Sequence, residues 1–381
     1  MRFDNTIWHK ELLSENTVFL KGNGYSKCDI TNDGFPCILY GQLYTTYLSE
    51  IINEVYSKTP NIIKNIVYSK SNDVIIPASG ETPEDIATAC CVINTGIILG
   101  GDLNILRLSN HNGAFLSYQL NCKRKYDIAR LAVGKSIVHL HNDDLKKLVV
   151  YYPMSKEYED KVVSLLTNID NRIITQKKII EDYKALKNQI INTIYNTDVY
   201  NSKLSNLIIQ ISKRNKNNTI DNVLSVSNKY GFIKQSEQFE DREVASDDIS
   251  NYKIISKDIF AYNPARINVG SIAKYNNEDE GIVSPMYICF KTKDALLPEY
   301  LNYYFDSNEF KYQMSKRLEG SVRQCLTFES LINIPFKLPS LEEQKKNADI
   351  ISTFNNKIAF EEKYLKVLEL QKSYLLNNMF I

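Results

Sequence analysis

The chain has 381 residues, 43% hydrophobic and 24% charged, with 46 Lys and Arg against 45 Asp and Glu. This length and composition predict two or three ordinary globular domains, and a net charge of +1 excludes a global attraction to nucleic acid, so any such binding has to come from local patches. No apolar run approaches the ~18 residues of a membrane span, the opening MRFDNTIWHKELLSEN lacks an apolar signal core, and none of the seven cysteines forms a CxxC pair; the expectation is a cytoplasmic protein with free thiols and no membrane partner.

In chain order, residues 1–60 mix short apolar stretches with turn signals at Lys21–Gly24, Thr31–Pro36 and Tyr40–Tyr47, which predicts short strands and loops. DVIIPASG, from Asp73 to Gly80, reads as a strand running into a Pro/Gly turn. Gly96–Leu108 reads as two strands, or as one strand with a glycine bulge. Phe115–Asn121 and Lys125–Ala132 carry helical patterns, SIVHLHN alternates as a half-buried strand, and KKLVVYYP ends at Pro153.

A long helical pattern then runs from Met154 to Tyr195. Its apolar residues recur at Val162, Leu166, Ile169, Ile173, Ile180, Tyr183, Ile190 and Ile194, in steps of 3, 4 or 7, the habit of a coiled coil. Gln176 and Lys187 hold the skipped seam positions. A second such pattern occupies Ser340–Ile381, with no Gly or Pro and with apolar residues at Ile351, Phe354, Ile358, Leu365, Leu368 and Leu375. Each pattern is about 40 residues, or about 60 Å of helix at 1.5 Å per residue. Neither helix can bury its stripe alone.

The two patterns repeat one another. Ile169–Ile173 (IDNRI) matches Phe354–Ile358 (FNNKI) at a shift of 185, and Lys187-x-x-Ile190-Ile191-Asn192 matches Lys372-x-x-Leu375-Leu376-Asn377 at the same shift. The shift extends upstream: Asp73 opens DVIIPASG and Asp258 opens DIFAYNPA, LSYQLN at Leu116 meets LNYYFD at Leu301, and Gly134-Lys-Ser meets Gly320-Ser-Val at 186. An internal duplication at half the chain length predicts a repeated architecture. The expected fold class is α+β: two duplicated α/β domains, residues 1–153 and 197–338, each followed by a long helix, residues 154–196 and 339–381, with the helices paired as an antiparallel two-helix coiled coil that separates the domains under pseudo-twofold symmetry.

Two similar domains held apart by a spacer suit a ligand with two half-sites, and duplex DNA has half-sites about 34 Å apart per turn. Candidate contact residues sit on turns. Arg214 and Asn215, in the basic Asn-rich segment Ser212–Asn218, suit a guanine or phosphate and an adenine edge, or form a solvated loop. Arg266 and Asn268 follow a strand at Asn263–Ser271, facing DNA or serving a structural turn with Arg266 in an internal ion pair. Ser321, Arg323 and Gln324 lie in the glycine turn at Gly320, and its counterpart at Gly134 presents Lys135 and Ser136. Ser79 and the Gly80 amide end the Pro77–Glu81 turn, which is DNA-facing or structural.

Signals of catalysis are missing. There is no GxxxxGK[ST], GxSxG or HExxH. Asn263-Pro-Ala-Arg lacks the second Pro and the aromatic of an amino-methyltransferase NPP[YF] box, whose aromatic stacks on a flipped base. Gly100-Gly101-Asp102 lacks a cofactor turn, and His139-x-His141 has no third ligand at metal-site spacing. Glu361-Glu362-Lys363 and Glu181-Asp182 read as solvated helix faces. No catalytic, cofactor or metal site is expected.

Taken together these blocks resemble the specificity subunit of type I restriction-modification systems. The resemblance rests on LPSLEEQ (Leu338–Gln344), on KNQIINTIY and KSYLLNNMF at the helix ends, and on ILYGQLYTTY (Ile38–Tyr47), DVIIPASGET (Asp73–Thr82), LGGDLNILR (Leu99–Arg107), VLSVSNKYGFIKQSE (Val223–Glu237), YNPARINVGSIA (Tyr262–Ala273), GIVSPMY (Gly281–Tyr287) and GSVRQ (Gly320–Gln324). The first helix departs from the pattern: SKEYED stands where a Glu-Gln pair is expected, leaving Glu157 but no Gln. The resemblance implies two target recognition domains that each read half of a bipartite, asymmetric double-stranded DNA site, with the helices setting the gap. It implies docking of two modification (methyltransferase) subunits that use S-adenosylmethionine on adenine, and of restriction (translocase/endonuclease) subunits that use ATP and Mg; no cofactor belongs to this chain. The competing readings are a protein-only coiled-coil adaptor and a stand-alone DNA adenine methyltransferase.

Overall fold

The computed structural model describes residues 8–60, 64–134, 137–228, 230–235, 248–320 and 324–381. Two compact units emerge: residues 1–176 with 364–381, and residues 177–363. Each combines a mixed α/β body with part of two long helices, Lys156–Tyr195 and Leu341–Met379. Among the described residues no helix is long and apolar enough to cross a membrane.

In the first unit a five-stranded sheet runs in the order Thr17–Lys21, Leu103–Leu108, Asp73–Pro77, Cys90–Val92 and Ile51–Ile52. All its pairs are antiparallel except the last. The central strand Asp73–Pro77 is buried along its length, and period-2 geometry sends its side chains to two cores. Val74 and Ile76 pack with Phe115, Leu116 and Leu120 of the helix Gly113–Cys122, while Ile75 packs with Ile38, Leu43, Leu99 and Ile105. That helix starts where the Asn112 side chain accepts from the Ala114 and Phe115 amides at 2.9 and 3.3 Å, an N-cap that satisfies otherwise orphaned donors. Gly96–Leu108 resolves into two strands, Ile98–Leu99 and Leu103–Leu108, rather than one bulged strand. A Cβ at Gly100 between them would lie 2.5 Å from Leu39 Cδ2, so a side chain there requires the buried Leu39 to move. SIVHLHN, by contrast, forms strand only at Val138–His139; His141 precedes the short helix Asn142–Leu145.

In the second unit a four-stranded antiparallel sheet runs Ile208–Ile211, Ile288–Thr292, Phe260–Tyr262, Ile272–Lys274. This is the order of the first four strands of the first unit's sheet, with the middle two displaced by about the same sequence shift. A two-stranded pair recurs as well: Trp8–Leu12 with Val149–Pro153 in one unit, Ser202–Lys203 with Pro335–Phe336 in the other. The second unit adds a four-stranded sheet in the order Gly231–Lys234, Val223–Ser227, Gly281–Val283, Lys253–Ile255.

Within each unit the long helices pack side by side and antiparallel. In the first, Val162 and Leu166 share a core with Met379 and Phe380, and Ile169 and Ile173 cluster with Leu368, Leu365 and Leu375. In the second, Tyr183 meets Phe354 edge-on at 6.4 Å and Lys184 Nζ donates to Glu362 Oε1 at 2.7 Å. Contacts repeat at the 185-residue shift. Phe115 and Phe380 rings lie 5.0 Å apart in the first unit, and Tyr300 and Tyr195 rings 4.8 Å apart in the second. The Glu-Gln departure finds its physical explanation here. Gln344 is buried, accepts from the Leu297 amide at 2.8 Å and donates to the Ala295 and Pro339 carbonyls at 3.0 and 2.9 Å. Its positional equivalent is Glu159, which is buried and accepts from the Asn112 amide at 2.8 Å. Both side chains fix the N-terminus of the helix that follows the strand, so the acceptor is kept while the amide donor is replaced.

Candidate nucleic-acid interface

Backbone hydrogen bonds bring two of the sequence-selected segments together in each unit. In the second unit Glu319 and Cys325 exchange backbone hydrogen bonds of 2.9 and 2.8 Å. The Leu326 amide then donates to the Pro264 carbonyl at 3.0 Å, and the Tyr262 hydroxyl donates to the Leu326 carbonyl at 3.1 Å. These bonds seat Leu326, next to the Glu319–Cys325 pair, beside the loop that carries Arg266 and Asn268. In the first unit Val133 and His139 exchange bonds of 3.0 and 2.9 Å, and the Leu140 amide donates to the Ala78 carbonyl at 2.9 Å. The three bonds match at a shift of 186, so one edge is built twice. In sequence it is signalled by the equivalence of Gly134 and Gly320 and of the blocks that open at Asp73 and Asp258.

The candidate side chains divide on this frame. Arg266, Asn268 and Gln324 are exposed. Arg266 precedes the single turn Ile267–Val269, which ends at Gly270 in the left-handed region at φ +90°, where glycine alone adopts the conformation without strain. Among the described residues no ion pair holds the Arg266 guanidinium. It lines a cavity of about 340 Å³ with Asn228, Asn263, Ser271, Ser284, Met286 and Tyr287. Arg214 is exposed but its Nη1 donates to Asn251 Oδ1 at 2.8 Å. Asn215 is 1% exposed and staples its own loop, donating to the Ile220 carbonyl at 2.8 Å and accepting from the Ile220 amide at 3.3 Å. Ser79 and Gly80 are buried and pair with His139 and Val138. Lys135, Ser136, Ser321 and Arg323 lie outside the described residues.

Each unit also holds a polar triad on its long helices that the sequence shows only as interrupted seams. In the first unit Lys372 Nζ bonds Asp170 Oδ1 at 2.7 Å and both Glu50 oxygens at 3.0 and 2.9 Å, and the Tyr118 hydroxyl donates to Asp170 Oδ2 at 2.5 Å. In the second, Lys187 Nζ donates to Asn355 Oδ1 at 3.1 Å and Asn355 Nδ2 to the Tyr303 hydroxyl at 3.3 Å. Tyr118, Asp170 and Lys187 correspond by the 185 shift to Tyr303, Asn355 and Lys372. Burial works against the charge on Lys372, but Glu50 and Asp170 outweigh it and hold the ammonium above the usual lysine range.

Residues 195–370 match the type I restriction modification DNA specificity domain. No curated protein matches the chain. The whole chain superposes on the crystal structure of a type I restriction-modification system S subunit from M. genitalium, with a TM-score of 0.62, 15% identity and coverage of 100% of this chain and 98% of that one. It also superposes on a chain from a study of complex assembly and conformational transition of the type I R-M system, with a TM-score of 0.58, 14% identity and coverage of 97% and 96%. At these identities the likeness establishes the fold.

Proposed function

We propose, from the match of residues 195–370 to the type I restriction modification DNA specificity domain, that this chain is a non-catalytic specificity subunit whose two units each read one half of a bipartite, asymmetric duplex DNA target. The observation that carries the reading is the doubly built edge: the Glu319–Cys325 pair with Leu326 bonded to Pro264 in one unit, the Val133–His139 pair with Leu140 bonded to Ala78 in the other. A single-copy reader has no need of it. Arg266, Asn268 and Gln324 have the exposure and chemistry for base edges or phosphates, since arginine forks onto guanine and amides onto adenine; Arg214 suits a phosphate contact. The long helices set the gap between half-sites and dock two modification subunits, which supply S-adenosylmethionine, while restriction subunits supply ATP and Mg chemistry in the same cytoplasmic complex. Val367, Leu370 and Tyr374 support the docking: they are 57%, 62% and 67% exposed and lie on one helix face at i, i+3 and i+7, an apolar stripe of the kind that marks a protein interface.

The test is methylated-adenine mapping in cells that carry this chain with its modification subunit. Arg266→Ala and Gln324→Ala are expected to relax one half-site, with about 1–3 kcal/mol of lost discrimination per bidentate contact, and to leave the other half-site intact. Absence of sequence-selective binding in the assembled complex would establish the adaptor reading instead, and methylation by the isolated chain would establish an enzyme.

A further inference from the structure

We propose that His9, Glu11 and His111 bind a divalent transition-metal cation of the zinc class, with Glu159 orienting His111. Strand geometry places His9 and Glu11 on one face of Trp8–Leu12. The partner strand Val149–Pro153 brings Tyr152 opposite His9, and the His111 ring stacks on Tyr152 at 3.5 Å with planes 9° apart. One ligand atom from each of His9, Glu11 and His111 falls within 4.8 Å of the others.

The hydrogen-bond pattern accommodates a cation. His111 Nδ1 bonds the buried Glu159 carboxylate at 2.8 Å, which as a donor leaves the Nε2 lone pair turned toward Glu11. A carboxylate and a lone pair repel unless something positive lies between them. The His111 Nε2 to Glu11 Oε1 distance is 3.5 Å, too long for a hydrogen bond and close to the ~3.4 Å between ligand atoms of a tetrahedral zinc ion with bonds of about 2.1 Å. His9 Nε2, at 2.6 Å from the same oxygen, has to open by about 0.8 Å to reach that spacing. Asn16 Nδ2 donates to Glu11 Oε2 at 2.9 Å and so leaves Oε1 for the cation. Two carboxylates, from Glu11 and Glu159, supply the negative charge that a dication balances. The carboxylate–histidine–metal arrangement of Glu159 and His111 fixes tautomer and ring orientation. Two imidazoles and one carboxylate leave a fourth position for water, a set that suits zinc, cobalt or nickel over calcium or magnesium. The bound ion would clasp the Trp8–Leu12 strand, the N-cap of the helix Gly113–Cys122 and the first turn of the long helix.

Titration of the full-length protein with Zn²⁺ and with Co²⁺ tests the proposal. One equivalent is expected to bind, with a tetrahedral Co²⁺ visible spectrum and a rise in melting temperature reversed by chelator. Glu11→Gln and His111→Ala are expected to lose the site, and Glu159→Gln to weaken it 10–100-fold. His9→Asn, on a half-exposed strand position that keeps the fold, is expected to weaken it at least as much. The double variant His139→Ala/His141→Ala, whose histidines are exposed, is expected to bind as wild type. No stoichiometric binding by the wild type, or binding that survives His9→Asn and Glu11→Gln, or loss confined to the His139/His141 variant, would overturn it. Circular dichroism of each variant separates loss of the site from loss of fold.

Discussion

Lys372 shows how a charged residue comes to occupy a seam position of an apolar helix face. Its ammonium sits among Asp170, Glu50 and the ring of Tyr118, and both carboxylates are 14% exposed. Removing the cation strands two half-buried anions, so Lys372→Met is expected to cost about 3 kcal/mol in urea unfolding. Lys187→Met, which breaks a bond to the neutral Asn355, is expected to cost about 1 kcal/mol. The pH dependence has a fixed sign. The folded value for Lys372 lies above the unfolded one, so its contribution is complete below the ordinary lysine range and fades as pH climbs through the folded value. The stability gap between wild type and Lys372→Met is therefore expected to be constant at neutral pH and to shrink in strong alkali.

At the scale of elements, the helix starts depend on the equivalent positions Glu159 and Gln344. Gln344→Ala orphans the Leu297 amide and two carbonyls and is expected to destabilise by about 2 kcal/mol, whereas Glu343→Ala, on an exposed face, is expected to change stability by under about 0.5 kcal/mol. Leu370→Glu is expected to weaken co-purification of the modification subunit with no change in fold, read by pull-down beside circular dichroism. The long helices were legible because 3.6-residue periodicity is local: Met154–Tyr195 and Ser340–Ile381 were expected, and Lys156–Tyr195 and Leu341–Met379 are found. The duplication was legible too, because seam residues are constrained by the same packing in both halves. Side-chain commitments across the fold were not. Asn215 reads as a base-contacting amide until its loop is seen to consume it. Glu157 drew notice in SKEYED, yet Glu159 is the acceptor, since its partner His111 lies 48 residues away. His9 and Glu11 share a strand face by simple alternation, but nothing local brings His111 to them.

At the scale of the molecule, each unit is completed by helix from both halves of the sequence. A fragment of residues 1–200 lacks Leu365, Leu368, Leu375 and Phe380, yet it carries their equivalents Ile180, Tyr183, Ile190 and Tyr195 at the 185 shift. Two copies can therefore supply to each other what each is missing. The fragment is expected to sediment as a dimer and, with modification subunits, to direct methylation to a palindromic site. A monomer that retains the asymmetric target would refute the exchange. Inserting seven residues at the same level of both long helices is expected to lengthen the gap between half-sites and leave each half-site unchanged, read by the same methylation map.

Met379 and Phe380, buried against Phe115 and Leu116, have a consequence for biosynthesis. Residues 177–363 form a unit from one uninterrupted stretch and can close as soon as that stretch leaves the ribosome. The unit begun first is still without Met379 and Phe380 at that point, because residues 364–381 emerge only after all of the other has been made. Its completion is therefore expected to follow that of the later-made unit, with Val162, Leu166 and Phe115 left partly uncovered in the meantime. A nonsense codon at Leu375 would remove few residues, and the damage would fall on the half synthesised first. Chaperone demand during synthesis should accordingly track residues 1–176 rather than the segment next to the lesion.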